Sequence, residues 1–210
     1  MTTSTHRSAD ERRAQLVDAA VAVMTDEGVR AVTTRAVTAR AGLPHGTFAY
    51  CFGSKGELFR AVLDRELRQS MAVTFDDDSV PVDDPSERIA AGLLAYLDRV
   101  RAAPDEALAL FELTALARRD PDLRDLARWE QDAYAQAVTG NLRQWSDRHG
   151  RSWSAPVDQV ARLLVALVDG TMSAWLSDRD DAAAEATLRL AATTVGALAA
   201  SDADAEGVRS

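Results

Sequence analysis

Thr33-Thr34-Arg35-Ala36-Val37-Thr38-Ala39-Arg40-Ala41-Gly42-Leu43-Pro44-His45-Gly46-Thr47-Phe48-Ala49-Tyr50-Cys51-Phe52-Gly53-Ser54-Lys55 is the stretch on which the reading of this chain turns. Thr33 or Thr34 offers a hydroxyl to start a helix. Val37 and Ala41 then recur at helical spacing up to Gly42, a residue tolerant of the positive φ that a tight turn needs. Pro44 fits the first turn of a second short helix, which runs to about Phe52 and closes at Gly53. Val37, Ala41, Leu43, Phe48 and Phe52 supply its apolar inner side. Two short helices joined at Gly42 and packed behind a longer one predict a helix-turn-helix corner. Its second helix would present His45, Thr47 and Tyr50 to a DNA major groove, which is wide enough to admit a helix. Such corners recur in many helical domains, so the rest of the chain has to agree.

Outward from this corner the apolar residues keep a helical period, and strand-like alternation is nearly absent. Ser8-Ala9-Asp10-Glu11 reads as a capping box. It opens a helix carrying Leu16, Ala19, Ala20, Val23 and Met24, which Gly28 stops. Ser54-Lys55-Gly56-Glu57 is a second box, launching a helix with Leu58, Phe59, Val62, Leu63, Leu67 and Met71 on one side. Residues 76–85 are acidic, proline-bearing and aperiodic, which predicts an exposed loop without the spacing of a calcium site. Beyond it, Ile89, Leu93, Leu97 and Val100 define a helix ended by Pro104. Leu108, Phe111 and Leu116 define another. Leu123, Leu126, Tyr134, Val138, Leu142 and Trp145 define a third, to about Gly150. A long apolar helix is expected over Val157–Leu176 and a last one over Asp181 to about Ala200, with a frayed end after it. The prediction is an all-α chain of about nine helices with no internal repeat. A DNA-binding domain would occupy residues 1–56, a connecting helix 54–75, and a larger helical body 76–210.

Composition narrows the function. The chain has 210 residues, 47% of them hydrophobic and 27% charged, with a net charge of -9. That is too apolar for a disordered chain. The single Cys51 excludes an internal disulfide and suits a reducing compartment; a buried structural thiol is its expected role. The apolar Val157–Leu176 run is interrupted by Asp158, Gln159, Arg162 and Asp169, and residues 1–7 have no apolar core. A soluble, cytoplasmic protein without membrane spans is therefore expected. Charge is uneven. Residues 1–75 carry 10 Lys+Arg against 8 Asp+Glu, and residues 76–210 carry 14 against 25. A polyanion would therefore dock at the front, although two merely solvated faces would give the same balance. His6, His45 and His149 are the three histidines, none at metal-ligand spacing with cysteine or glutamate, and no glycine-rich phosphate loop follows a strand. Neither an enzyme nor a cofactor or metal protein is expected.

The stretch Thr33–Lys55, with Ala19-Ala20 and Asp26-Glu27-Gly28 before it and Leu58 after it, resembles the DNA-binding signature of the tetracycline-repressor (TetR) family. Ala166-Leu167-Val168-Asp169-Gly170 and Trp175-Leu176 resemble that family's penultimate helix more loosely. The resemblance implies a homodimeric, ligand-responsive transcriptional regulator, most often a repressor, bound to a palindromic operator in double-stranded DNA. Carried over residue by residue, it assigns DNA contact to Thr33, Thr34, Arg35, Pro44, His45, Gly46, Thr47, Tyr50 and Lys55. Thr33 and Thr34 would meet a phosphate or simply cap. Arg35 would reach a base edge, where a guanidinium binds guanine bidentately, or lie solvated. Tyr50 and Lys55, the only lysine in the chain, would meet phosphates. Gly46 would let backbone approach DNA or the first helix. Ala49 stands where the family usually has tyrosine, and Pro44 where it usually has a small polar residue.

For the back body the resemblance implies a four-helix dimer interface built from 157–176 and 181–200, with Ala191, Ala192, Gly196 and Ala197 allowing close approach. The other helices would enclose an effector pocket. Tyr96, Phe111, Trp129, Tyr134, Trp145, Met172 and Trp175 are its candidate lining, each equally at home in a core. The excess of acid in this body favours neutral or cationic ligands, although a merely solvated surface would give the same balance. The rival reading is a helical module of the same fold that acts through a protein partner rather than DNA.

Overall fold

A computed structural model describes residues 8–75 and 84–201. Most of the acidic stretch read as a loop (76–83), the chain end expected to fray (from Asp202) and residues 1–7 lie outside the described residues. The described residues form nine α-helices: α1 (Ala9–Glu27), α2 (Thr34–Arg40), α3 (Thr47–Cys51), α4 (Lys55–Phe75), α5 (Pro85–Ala102), α6 (Pro104–Arg119), α7 (Arg124–His149), α8 (Val157–Asp178) and α9 (Asp181–Gly196). One feature departs from the all-helical expectation. β1 (Arg151–Trp153) pairs antiparallel with β2 (Ala199–Ser201), Ser152 opposite Ala200, so α9 stops at Gly196 rather than near Ala200. Three-residue strands are too short to show a period of two.

Local chemistry sets most helix ends. The Ser8 hydroxyl accepts from the Glu11 amide, and the Glu11 carboxylate accepts from the Ser8 amide, completing the capping box. Gly28 ends α1 at φ 85°, and Gly42 ends the α2 turn at φ 64°, both values that favour glycine. Ahead of α4 the box is displaced by one residue. Ser54 Oγ accepts from the Glu57 amide, but the Glu57 carboxylate takes the Gly53 amide instead of that of Ser54. Pro104 opens α6 as its first residue, where a missing amide hydrogen costs nothing, and Asp180 caps α9.

Packing groups the chain into two compact units, residues 1–66 with 103–130, and residues 67–102 with 131–210. This grouping does not coincide with the division expected at 56 and 76, since residues 57–66 and 103–130 pack with the front helices. In the first unit, Leu16, Ala20 and Met24 of α1 meet Val37, Phe48 and Phe52, together with Leu58, Phe59 and Val62 of α4. The expected apolar side of α6 is shifted. Ala109, Leu113 and Ala117 are its buried line, whereas Leu108 is 43% exposed. Two alanines flanking one leucine let α6 lie close against α1, which larger side chains at 109 and 117 would prevent.

In the second unit α9 packs on α5 and on α8. Gly196 abuts Ser86 at the start of α5 so closely that an added Cβ would lie 2.3 Å from Ser86 Oγ. Ala191, Ala192 and Gly196 are buried within this unit, so their small size serves its own packing; of the four residues assigned to close approach across a dimer, only Ala197 is exposed. Arg101 of α5 ties α9 down, donating to Asp181 at 2.8 Å and Glu185 at 2.9 Å, and also to Asp98 at 3.0 Å. Among the described residues α8 alone is long and apolar enough to cross a membrane by length and composition.

Candidate functional site

The helix-turn-helix is α2, the turn at Gly42, and α3, and α1 holds it in place. Val37 and Phe48 point inward and are buried, as is Phe52 just past α3. Two polar residues of α1 that the sequence reading passed over do the tethering. Gln15 Nε2 donates to the Ala41 carbonyl at 2.6 Å, gripping the turn. Arg13 donates to the Cys51 carbonyl at the end of α3 and lays its guanidinium over the Phe52 ring, 4.1 Å from the centroid. A five-residue helix is not stable alone, so these two contacts, together with the buried Phe48 and Phe52, define where α3 points. Their only sequence signal was polarity beside an apolar stripe. Thr38 is buried, its hydroxyl satisfied by the Thr34 carbonyl at 2.8 Å.

α3 begins at Thr47, not in the turn containing Pro44. Residues 44–46 form a turn in which the Thr47 amide donates to the Pro44 carbonyl, and no side chain caps the helix. Pro44, His45 and Gly46 are all exposed there. A Cβ on Gly46 would meet nothing within 4 Å, which removes close approach to α1 as a reason for this glycine. Thr47 is half-buried, and Tyr50 is 93% exposed, an extreme value for an aromatic side chain. Thr33 is the cap of α2, its Oγ1 accepting from the Ala36 amide at 3.1 Å, with Thr34 half-buried beside it. Arg35 is exposed and forms no ion pair among the described residues. Arg40 differs, because its guanidinium is held by Asp26 at 2.7 Å and Glu27 at 3.3 Å. Lys55 sits in the first turn of α4 with Nζ 5.1 Å from the Phe59 ring centroid. Cys51 is half-buried rather than fully enclosed.

The second unit contains a cavity of about 100 Å³ bounded by α4, α5, α7 and α8. Of the seven aromatic and soft residues considered for a pocket, Trp145 lines it. Phe111 and Trp129 belong to the other compact unit, where Arg60 stacks on the Trp129 ring at 4.4 Å. Tyr96, Tyr134, Met172 and Trp175 share the cavity's unit without lining it. Trp175 is buried, and its Nε1 donates to Asp181 at 2.8 Å, which together with Arg101 holds that carboxyl below the usual aspartate range. No group of three or more histidine, cysteine or carboxylate side chains could hold a metal among the described residues.

The comparisons with known proteins agree with this geometry. The family described as bacterial regulatory proteins, tetR family, matches residues 16–62, from α1 into α4. The one described as BetI-type transcriptional repressor, C-terminal, matches residues 85–200. The HTH-type nicotine-responsive transcriptional repressor HdnoR of Paenarthrobacter nicotinovorans is 30% identical over 176 residues, covering 81% of this chain and 87% of that protein. The HTH-type transcriptional regulator BetI of Burkholderia mallei is 26% identical over 165 residues, 79% and 80% of the two chains. A TetR-family transcriptional regulator from Rhodococcus sp. shares the fold at a TM-score of 0.74 and 24% identity, over 89% of this chain and 98% of its own. With the helix-turn-helix profile at its front and the repressor profile across more than half its length, this chain belongs to the TetR family of DNA-binding transcriptional regulators.

Proposed function

We propose that the chain acts as a homodimeric repressor that binds a palindromic operator and is released by a small-molecule effector. The observation that carries the DNA reading is the exposed set Arg35, His45 and Tyr50 on a helix-turn-helix whose inner face is fully packed. A tyrosine so exposed and an arginine with no ion pair among the described residues bury little within the protein, and both suit DNA. α3 would enter the major groove with His45 and Thr47 near base edges and Arg35 approaching from α2. Tyr50 and Lys55 would hold phosphates, Lys55 aided by the positive end of α4. Thr33 can serve twice: its oxygen caps α2, and its hydroxyl hydrogen stays available to a phosphate.

The dimer reading rests on outward-facing apolar residues of the last two helices. Leu163, Ala166, Gly170 and Ala174 are exposed at helical spacing along α8, and Ala183, Ala186 and Leu190 along α9, with Ala197 just past its end. Leu190 is 68% exposed, and such a double stripe favours burial against a second copy. Two-fold pairing would set two α3 helices about one DNA turn apart. The cavity and the nicotine-responsive relative support control by a small molecule. The effector acts to the extent that it binds one conformation of the dimer more tightly than the other.

Fluorescence anisotropy with DNA fragments flanking the protein's own gene, titrated in salt, tests this. Saturable binding of two protomers per palindrome, with steep salt dependence and loss in Arg35→Ala and Tyr50→Ala, is the expected result. Equal binding by wild type and both variants would overturn the residue assignment.

A further inference from the structure

The acid excess of the back body suggests a neutral or cationic effector, and the charge lining the cavity is the opposite. Arg88 and Arg148 line it, and no aspartate or glutamate is among its described lining residues. Arg88 is held in a defined pose. Its Nη2 donates to the Phe75 carbonyl at 2.7 Å, while Nη1 is buried without a hydrogen-bond partner. Trp145 Nε1, also on a lining residue, is buried without a partner as well. A buried donor left unpaired is destabilising, more so when it is charged. Two such donors on one cavity point to an acceptor that arrives from outside. The rest of the wall is apolar, with Phe75, Ile89, Leu93 and Leu164. Asn141 Nδ2 is committed to the Ala137 carbonyl at 3.0 Å. The His149 ring stacks on Trp145 at 5.3 Å between centroids, with Nδ1 2.8 Å from the Trp145 carbonyl, which stiffens the tryptophan.

We propose that this cavity takes a small organic monocarboxylate, a carboxylate on one aromatic ring or a short alkyl chain. The carboxylate accepts from Arg88 Nη1 and Trp145 Nε1, with Arg148 adding charge at the mouth, and the apolar body lies on Ile89, Leu93 and Leu164. Size agrees. A dry cavity of about 150 Å³ holds benzene, so about 100 Å³ with an open mouth suits one ring or a few methylenes. The inference rests on reading this unit as the effector-binding body, and it separates this chain from its nicotine-responsive relative, since nicotine is an amine.

Isothermal titration of the full-length protein without DNA tests it, using 3-phenylpropionate and 3-phenylpropylamine, matched in shape and opposite in charge, with benzoate and octanoate to vary the body. Saturable binding of at least one carboxylate at one per protomer is expected, with the amine at least tenfold weaker. Arg88→Gln should weaken the carboxylate about 10–100-fold, the range for a hydrogen bond to a charged group. Arg88 also anchors the Phe75 carbonyl, so Trp145→Phe provides a second variant that removes the Nε1–H, at the cost of part of the ring surface, and leaves that anchor in place; it should weaken binding several-fold. Binding of the amine as tight as that of the carboxylate, unchanged affinity in both variants, or no saturable binding of any of the three carboxylates would each overturn the proposal. The anisotropy assay fails separately: a protein that binds a carboxylate and no DNA refutes the repressor reading and leaves this one standing.

Discussion

Replacing either of two helical glycines by alanine should move stability in opposite directions. Gly92 faces α4 so closely that an added Cβ would lie 2.3 Å from the Thr74 carbonyl oxygen, whereas ordinary contact begins near 3.4 Å. The obstructing atom is backbone and cannot swing away, so α4 and α5 must part by about 1 Å. Overpacking costs about 1–3 kcal/mol, and a backbone obstruction this close takes the upper part of that range, about 2–3 kcal/mol. The better helix propensity of alanine offsets about 1 kcal/mol of it, leaving Gly92→Ala about 1–2 kcal/mol less stable. Gly140 in α7 is exposed, and a Cβ there meets nothing within 4 Å. Gly140→Ala should therefore gain about 0.5–1 kcal/mol from propensity alone. At about 2–4 °C per kcal/mol for a chain of this size, Gly92→Ala should melt about 2–8 °C below wild type and Gly140→Ala about 1–4 °C above it. Thermal unfolding followed by circular dichroism, with urea midpoints as a second measure, reads both. A Gly92→Ala protein as stable as wild type, or a Gly140→Ala protein that falls with it, would refute the steric reasoning.

Further outcomes follow from the same contacts. Lys55→Ala should reduce the slope of log affinity against log salt by about 0.9 per protomer, measured by anisotropy, because one phosphate contact is lost. Arg13→Met should weaken operator binding while leaving that slope unchanged, since Arg13 positions α3 through the Cys51 carbonyl and Phe52; a reduced slope would make it a phosphate contact instead. Leu190→Glu should give a monomer in analytical ultracentrifugation with helicity retained, and a persisting dimer would place the interface elsewhere. Asp181 is held below the usual carboxylate range first by the Trp175 Nε1–H and then by Arg101, so its stabilisation is complete above that range and lost as pH falls through its lowered value. Asp181→Asn should therefore flatten the acid limb of the stability profile below about pH 4 and leave its neutral region with the same shape.

Much of the architecture was legible because its signals are local. A cap needs a hydroxyl three residues from an amide, a stop needs a residue that tolerates positive φ, and a buried stripe needs apolar residues at 3.6-residue spacing. Ser8, Thr33, Gly28, Gly42 and the stripe of α1 express these rules within a few residues, and the structure places each as read. The candidate DNA-contacting residues were legible through the likeness of Thr33–Lys55 to a known signature, whose spacing is itself local.

Other features depend on residues far apart in the chain. Arg13 and Gln15 reach Cys51 and Ala41, and Ala109, Leu113 and Ala117 rather than Leu108 face the core because α1 lies against that side of α6. β1 and β2 pair across two intervening helices, and an orphaned Arg88 donor marks a cavity whose charge opposes that of the unit around it. Gly92 and Gly140 look alike to any local rule. They differ only in what stands opposite, a carbonyl for one and open space for the other. Helix boundaries follow from interactions within one turn of chain, so short-range chemistry specifies them; which face is buried, which glycine is crowded and which donor is left unpaired depend on close packing between elements, and that exists only once the helices have met.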